Sequence, residues 1–302
     1  MLHRHQVAMQ AKAFSIGVRI EHPQSVIDRT RWGKHAGHPM LGAADYKLVH
    51  HASNGRAVYS FCMCPGGTVV AATSEAGRVV TNGMSQYSRN ERNANAGMVV
   101  GIDPSDYPTD AASFEAALGQ EVGNAVRLDT LDTIDGFHPL AGMVLQRQLE
   151  AAAFIAGGSN YHAPAQLVGD LLAHVPSTAL GKVEPSYKPG VHMTDLRHVL
   201  PSFAIDAMRE ALPVFGRKIK GFDMADAVLT GIETRTSSPL RIERSKDLQS
   251  PNMHGLFPGG EGAGYAGGIL SAGVDGIKLG EAVAMKVLQN RSSHEGVAHE
   301  ST

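Results

Sequence analysis

The sequence predicts a mixed α/β fold, in which strand-rich and helix-rich parts of the chain follow one another. Short stretches with alternating, β-branched and aromatic side chains predict strands in the first third. Stretches with apolar residues three and four positions apart predict helices in the middle. The C-terminal part has a short apolar run, a cluster of glycines and a long helical pattern. This order of elements is typical of mixed α/β and α+β proteins.

The predicted strands form an antiparallel sheet with short connections, because turn-forming residues separate them. Strand patterns cover residues 13–20, 57–62, 67–72 and 77–81. Residues 82–95 are polar and rich in asparagine, which predicts a loop. Strand character returns in residues 227–235, and the Ser-Ser-Pro of residues 237–239 ends it.

The predicted helices occupy the middle and the end of the chain. Helical patterns cover residues 109–120, 142–156, 163–174, 201–212 and about 263–288. Gly157 follows the second helix as a C-cap, and Pro213 is expected to end the fourth. Residues 255–258 predict a short strand, so we expect the chain to close as strand, glycine turn and helix.

The composition excludes several classes of function. Lys and Arg number 27 against 29 Asp and Glu, so no basic excess favours binding to nucleic acid or to an anionic membrane. No apolar run approaches the roughly 20 residues of a membrane helix. With only Cys62 and Cys64 present, we expect no disulfide framework and a cytoplasmic location. No G-x-S-x-G nucleophile motif supports hydrolase chemistry.

The glycine cluster matches a dinucleotide-binding motif, but the sequence around it lacks the second strand that such a motif requires. Residues 262–267 fit G-x-G-x-x-G. A dinucleotide fingerprint also needs a second parallel strand after the helix, with an acidic residue about 20 positions on. Only a short polar stretch follows the predicted helix. The motif match alone therefore does not predict a Rossmann unit here.

The same segment suits another kind of ligand contact. Glu261 is expected at the carboxyl end of the predicted strand, where a carboxylate can accept hydrogen bonds from sugar hydroxyls. The amides of residues 262–265 would begin the predicted helix and favour a phosphate or a negatively charged ring. The glycines would let a flat ligand approach the backbone; they are Gly262, Gly264, Gly267 and Gly268. Tight packing of the helix on a sheet is the alternative explanation, and both stay open.

Longer motifs resemble a known family. Residues 255–276 (GLFPGGEGAGYAGGILSAGVDG) resemble the C-terminal flavin segment of bacterial FAD-dependent dehydrogenases, a family of NAD(P)/FAD-dependent oxidoreductases. Residues 14–29, 59–97, 160–172 and 227–244 resemble the same family. The resemblance covers residues 14–288, which is nearly the whole chain.

The resemblance implies FAD as the cofactor and hydride transfer between flavin N5 and a small-molecule substrate. It places Glu261 on the ribityl chain and the amides that follow it at the N1/O2 edge of the flavin ring. The implied cofactor-binding residues are Gly260, Glu261, Gly262, Ala263, Gly264, Tyr265, Gly267 and Gly268. It identifies no catalytic residue.

The resemblance also implies a domain organisation. Residues 1–20 and 244–290 are expected to belong to an FAD-binding domain, residues 21–243 to a substrate domain, and residues 291–302 to a disordered tail. The N-terminal dinucleotide loop of the family is not present, and Met1 resembles an internal methionine of a longer protein. We therefore expect a C-terminal portion that works with an N-terminal FAD-binding half, encoded separately or by an earlier start. The alternative is a non-catalytic remnant or binding module that cannot hold FAD alone.

Two polar stretches are weaker candidates for substrate contacts. Glu233, Arg235 and Arg241 could clamp a carboxylate substrate, since guanidinium groups bind carboxylates in a bidentate way. Structural ion pairs would explain them equally well. Residues 88–93 could line a substrate pocket or form an ordinary solvated loop.

The cysteines and histidines of the sequence do not predict a metal site. Cys62 and Cys64 are too close along a strand for an unstrained disulfide, so burial as small apolar side chains is the favoured interpretation, with a thiol near the flavin as the alternative. The 15 histidines are scattered, and adjacent His50 and His51 point to opposite faces of a strand. We therefore expect no bound metal.

Overall fold

The structure is a computed structural model that describes residues 1–120 and 136–299, the last ten of these as backbone only. It confirms the mixed α/β fold, because sheets and helices both contribute. The chain divides into two compact units. Segments Met1–Phe14, Asp103–Val144 and Ser237–Thr302 form the first unit, and segments Ser15–Ile102 and Leu145–Thr236 form the second.

The secondary structure has the following bounds. The strands are β1 Met9–Ala11, β2 Phe14–Pro23, β3 Val49–His51, β4 Ala57–Ala71, β5 Thr81–Ser85, β6 Asn93–Ile102, β7 Ala163–Leu167, β8 Val191–Met193, β9 Val228–Glu233 and β10 Leu240–Ile242. The α-helices are α1 Gln24–Trp32, α2 Ala111–Leu118, α3 Ala141–Ala156, α4 Val168–Ala173, α5 Ser202–Lys218 and α6 Ile269–His299.

The second unit is built on one sheet, with strand order β3-β4-β6-β2-β9-β7-β8 and β5 paired to β4. The pairs β3–β4, β4–β5, β4–β6, β2–β9 and β7–β9 are antiparallel, and β7 with β8 is parallel. β2 and β9 are buried along almost their whole length, and their register places Arg19 opposite Thr230. A charged arginine in such a strand must find its partners inside the protein, since no water reaches it.

The first unit contains a short antiparallel pair, β1 with β10. The pairing sets Met9 opposite Ile242 and Gln10 opposite Arg241. Ile242 also donates a backbone hydrogen bond to the carbonyl of Ala263, at 3.1 Å. The β1–β10 pair therefore holds one side of the glycine-rich segment that precedes α6.

The predicted strands differ from the observed ones around the cysteines and asparagines. Residues 57–62 and 67–72 belong to one strand, β4, because two bulges let pairing with β6 continue past Cys64. The predicted strand 77–81 is wrong except at its end, since β5 begins at Thr81. The predicted loop 82–95 is confirmed only for residues 86–92. The start of β6 is asparagine-rich yet buried, so burial overrides the loop preference of asparagine.

The middle helices are confirmed in part. α2 and α3 match the predictions, and α3 ends before Gly157 as expected. Residues 163–167 form strand β7, not the start of a helix, because a short apolar run fits a buried strand as well as a helix. α5 continues through Pro213 to Lys218, so the predicted end was wrong. Apolar side chains buried on both sides of Pro213, including Leu212 and Phe215, hold the helix together.

The C-terminal prediction needs a correction. No residue from 251 to 268 is in a strand, so Glu261 does not end one. α6 begins at Ile269, six residues after the predicted start, because Gly264 adopts a φ of 85°, which a helix cannot accommodate. The helix runs past Leu288 to His299, through residues of the predicted tail, and residues 300–302 lie outside the described part.

Among the helices that the structure describes, none has the length and apolar character to span a bilayer.

Candidate functional site

The glycine-rich segment of the first unit folds as consecutive turns. The amide of Gly264 donates to the carbonyl of Glu261 and the amide of Tyr265 to that of Gly260, both at 3.0 Å. These two amides are therefore satisfied within the turn. The expectation that residues 262–265 offer a helix N-terminus to a ligand is wrong, since the helix starts only at Ile269.

A buried ion pair fastens this turn to α6. The Arg244 guanidinium contacts both carboxylate oxygens of Asp275, at 2.7 and 3.0 Å. Arg244 also donates to the carbonyl of Pro258, and the amide of Gly260 donates to Asp275 at 2.8 Å. The hydrogen bonds from Arg244 hold the pKa of Asp275 below its usual value. Asp275 thus favours its charged form and holds the start of the turn, at Pro258 and Gly260, against α6.

Two guanidinium groups lie over the Tyr265 ring. The Arg244 guanidinium carbon is 3.7 Å from the ring centroid and that of Arg241 is 5.3 Å away. Both distances are within the range of cation–π attraction. The Nε of Arg241 is buried and has no hydrogen-bond partner among the described residues. An orphaned donor of this kind is costly unless a further group accepts from it.

Lys12 adds a third positive charge close to Glu261. Its ammonium group donates to the carbonyls of Ala13 and Ser238 and to the Ser237 hydroxyl, at 3.2 to 3.4 Å. Burial lowers the pKa of Lys12, and the charge of Arg241 lowers it further, while Glu261 acts in the opposite direction. Lys12 therefore lies within electrostatic reach of both Arg241 and Glu261 in the first unit.

Three glycines leave space beside this charged group. A Cβ added at Gly262, Gly267 or Gly268 would meet nothing within 4 Å. At Gly264, in contrast, a Cβ would lie 2.7 Å from the carbonyl oxygen of Leu240, so this glycine is required by the fold. The turn thus combines open backbone, two partly exposed cations and one carboxylate, which suits a flat, polar ligand with a negative group.

The structure does not bring Glu233, Arg235 and Arg241 into one cluster. Glu233 is buried in the second unit and accepts from Arg19 at 3.1 and 3.3 Å. Arg235 pairs with Glu150 at 3.0 and 3.1 Å. Arg241 belongs to the first unit and stacks on Tyr265. Each therefore has a structural partner of its own.

Arg19 is the centre of a buried polar network that the sequence did not reveal. Its Nη2 donates to Asn95 Oδ1 at 2.6 Å, to the carbonyl of Cys62 at 2.9 Å and to Cys64 Sγ at 3.5 Å. Burial raises the pKa of Glu233 and of the Cys64 thiol, although Arg19 opposes both shifts. The predicted burial holds for Cys64 but not for Cys62, which is exposed because its φ of 40° turns it out of the strand.

The loop that precedes β6 borders a second, smaller candidate site. Glu91, Arg92 and Asn93 line a cleft of about 450 Å³ together with residues 184–188. Beneath it Glu21 is fully buried and accepts hydrogen bonds from Asn93 and from the amide and hydroxyl of Ser186. Burial raises the pKa of Glu21. The loop therefore borders a polar cleft with a buried acid below it.

Metal ligands are not grouped anywhere in the part of the chain that the structure describes. No three His, Cys, Asp or Glu side chains in those ranges are placed to share an ion. His50 instead contacts Glu210 at 3.0 Å, in an ordinary side-chain pair.

Comparisons with known proteins agree with the resemblance. The family model described as "FAD-dependent protein, C-terminal domain-like" matches residues 13–236. A Clostridium beijerinckii protein, itself uncharacterised, is 48% identical over 287 residues. The match covers 95% of this chain but 49% of that relative, so the chain spans about half of its length. From the extent of both matches, the chain belongs to the family of FAD-dependent proteins with this C-terminal domain.

Proposed function

We propose that this chain forms the C-terminal portion of an FAD-dependent oxidoreductase, which transfers hydride between flavin and a small-molecule substrate. Membership of the FAD-dependent family supports the cofactor. The observation that carries the proposal is the glycine turn, where open backbone lies beside Lys12, Arg241 and Glu261.

The residues of the turn fit a flavin. The open positions Gly262, Gly267 and Gly268 admit a flat ring system. The orphaned Nε of Arg241 needs an acceptor, which the oxygens and nitrogens of a flavin supply. FAD, when bound, supplies the redox chemistry, and the protein supplies position and electrostatics.

Each residue of this site has a proposed role. Among the described residues, none donates a hydrogen bond to the Glu261 carboxylate. In the proposed complex this carboxylate accepts hydrogen bonds from the ribityl hydroxyls. Lys12 and Arg241 favour negative charge on the bound ring, a role that the resemblance gives to helix amides. The remaining proposed contacts are Gly260, Ala263, Gly264 and Tyr265, of which Gly264 and Tyr265 act by shaping the turn.

The proposed domain organisation is the one that the family resemblance implies. Residues 1–20 and 244–290 contribute to the FAD-binding domain, and residues 21–243 form the substrate domain. A partner half, on the same or a separate polypeptide, would hold the adenosine end of FAD. A reducing cytoplasm is the proposed location, because Cys62 and Cys64 are not joined by a disulfide. The polar cleft above Glu21 is a proposed place for substrate contacts.

A chimera tests this proposal in a full-length protein. This chain replaces the matched 287 residues of the Clostridium beijerinckii relative, and the purified product is incubated with FAD, desalted and examined by visible absorbance. We expect one flavin per chimera. A folded but colourless chimera, beside a flavin-containing relative, would contradict the proposal and favour the non-catalytic remnant.

A further inference from the structure

α6 contacts its own unit along one narrow side. Among residues 271–282, only Ala272, Asp275, Leu279 and Ala282 are buried or half-buried. Their spacing of three, four and three residues defines one side of a helix. Asp275 pairs with Arg244, and Leu279 packs so closely on Gly259 that an added Cβ there would overlap it.

The opposite side of the helix is apolar and exposed. It carries Ile269 at 91% exposure, Leu270 at 87%, Val274 at 54%, Ile277 at 66% and Met285 at 58%. A rotation of 100° per residue puts these five side chains within one half of the helix surface. We call them the apolar side of α6. Five large apolar side chains on one helix face exceed the scattered exposure that is normal for a protein surface.

Glycines lie among these side chains. Gly273, Gly276 and Gly280 follow the same side of α6, and a Cβ at any of them would meet nothing within 4 Å. Glycine weakens a helix relative to alanine, so these three positions lower the stability of α6 on its own. They would allow the backbone of another element to approach α6 closely. A helix that is apolar on two sides is characteristic of the inside of a protein.

We propose that the apolar side of α6 is the docking surface for the domain that fills the rest of the family's longer members. The matched family is defined by a C-terminal domain, and the Clostridium beijerinckii relative carries about as many residues again outside the match. From residue 269 to 285 the helix is about 25 Å long, which is enough for a domain interface. The inference rests on the proposed function in naming this domain as the FAD-binding half.

The charge on this surface favours such a domain over a second copy of the chain. Glu281 is exposed between Ile277 and Met285, on the same side of α6. Two copies packed in parallel would bring each Glu281 close to its equivalent, and like charges repel; packed antiparallel about Ile277, each Glu281 would face Gly273 and gain no basic partner. The partner surface is therefore apolar, with a basic side chain opposite Glu281.

Hydrogen exchange tests the docking surface. Amide exchange in residues 269–288 is measured in the isolated chain and in the chimera described above. We expect exchange at least tenfold slower in the chimera. Leu270→Lys with Ile277→Lys should remove that protection, while the unfolding midpoint of the isolated chain stays unchanged because both side chains are exposed there. Gln289→Lys is the control and should retain the protection.

Two results would overturn the inference. One is equal exchange in the chimera and in the isolated chain. The other is an isolated chain that is a dimer in ultracentrifugation and becomes a monomer with Ile277→Lys, which would assign the surface to a second copy. Flavin absorbance of the same samples separates the two proposals. A protected but colourless chimera contradicts only the flavin function, and an unprotected yellow one contradicts only the docking surface.

Discussion

The Arg19 guanidinium lies in the sheet of the second unit with no exposure to water. Glu233 neutralises it, and Asn95 and the Cys62 carbonyl accept its remaining hydrogen bonds. Gly83 has no side chain because a Cβ there would overlap the Arg19 guanidinium. A buried pair of this kind is costly to break, although it adds little net stability when intact.

Removal of Arg19 should destabilise the protein strongly. Arg19→Met leaves the Glu233 carboxylate buried without its cation, and we expect a loss of about 3–5 kcal/mol in the free energy of unfolding. Denaturant titration followed by circular dichroism measures it. The double variant Arg19→Met with Glu233→Gln should recover most of the loss. A single variant as stable as the natural protein would show that the pair is not structural.

His22 should make stability depend on pH. It is fully buried beside Phe222, whose carbonyl it contacts at 2.7 Å, and burial lowers its pKa from 6.5 to about 4. The unfolded chain therefore takes up a proton at a higher pH than the folded chain does. Stability from this group is complete above pH 6.5 and is lost as the pH falls towards 4, by about 3 kcal/mol in total.

Denaturant titrations between pH 7 and pH 4 check this prediction. His22→Gln lacks the titrating group, so its stability should change less over the same range, even though it is lower at pH 7. An equal pH dependence in both proteins would show that His22 does not contribute.

Residue-scale contacts such as these could not be predicted from the sequence. Arg19 and Glu233 are separated by more than two hundred residues, and only the pairing of β2 with β9 brings them together. Arg244 and Asp275 are 31 residues apart, and they meet only because the glycine turn folds back against α6. The role of Glu261, in contrast, was inferred from a local glycine motif, and it stays a prediction.

At the scale of elements, the glycine turn departs most from the sequence-based expectation. The helical pattern after residue 262 is real, but the left-handed Gly264 delays the helix until Ile269. Likewise, apolar periodicity predicted α3 correctly but assigned strand β7 to a helix, because a run of five residues, four of them buried, fits both patterns. The short length of the apolar run explains the error at β7, and the positive φ angle of Gly264 explains the late start of α6. Apolar periodicity takes neither into account.

Two alanine substitutions should separate the structural glycines from the ligand-facing ones. Gly264→Ala places a Cβ at a φ of 85° and against the Leu240 carbonyl, so it should destabilise the protein by more than about 1 kcal/mol. Gly262→Ala meets open space and should leave stability within about 0.5 kcal/mol. Thermal unfolding of the isolated chain measures both. Equal effects would contradict the distinction.

At the scale of the whole molecule, the sequence motifs predicted the family. They did not predict that Lys12 and Arg241 lie at the glycine turn. The family model matches residues 13–236 and confirms the predicted family, while the C-terminal flavin motif of residues 255–276 lies outside that match and stays a prediction. Lys12 and Arg241 reach the glycine turn only through the pairing of β1 with β10. This pairing joins residues 9–11 to residues 240–242, and no local sequence pattern predicts a contact between segments so far apart in the chain.

The affinity of the chimera for FAD, with and without Glu261→Gln, tests the central claim most directly. Loss of the carboxylate weakens charge-assisted hydrogen bonds from the ribityl hydroxyls, so we predict a dissociation constant at least about tenfold higher. The hydrogen exchange of α6 should be the same in both proteins, which shows that the turn stays intact. If Glu261→Gln binds FAD as tightly as the unsubstituted chimera, the glycine turn does not hold the flavin as proposed.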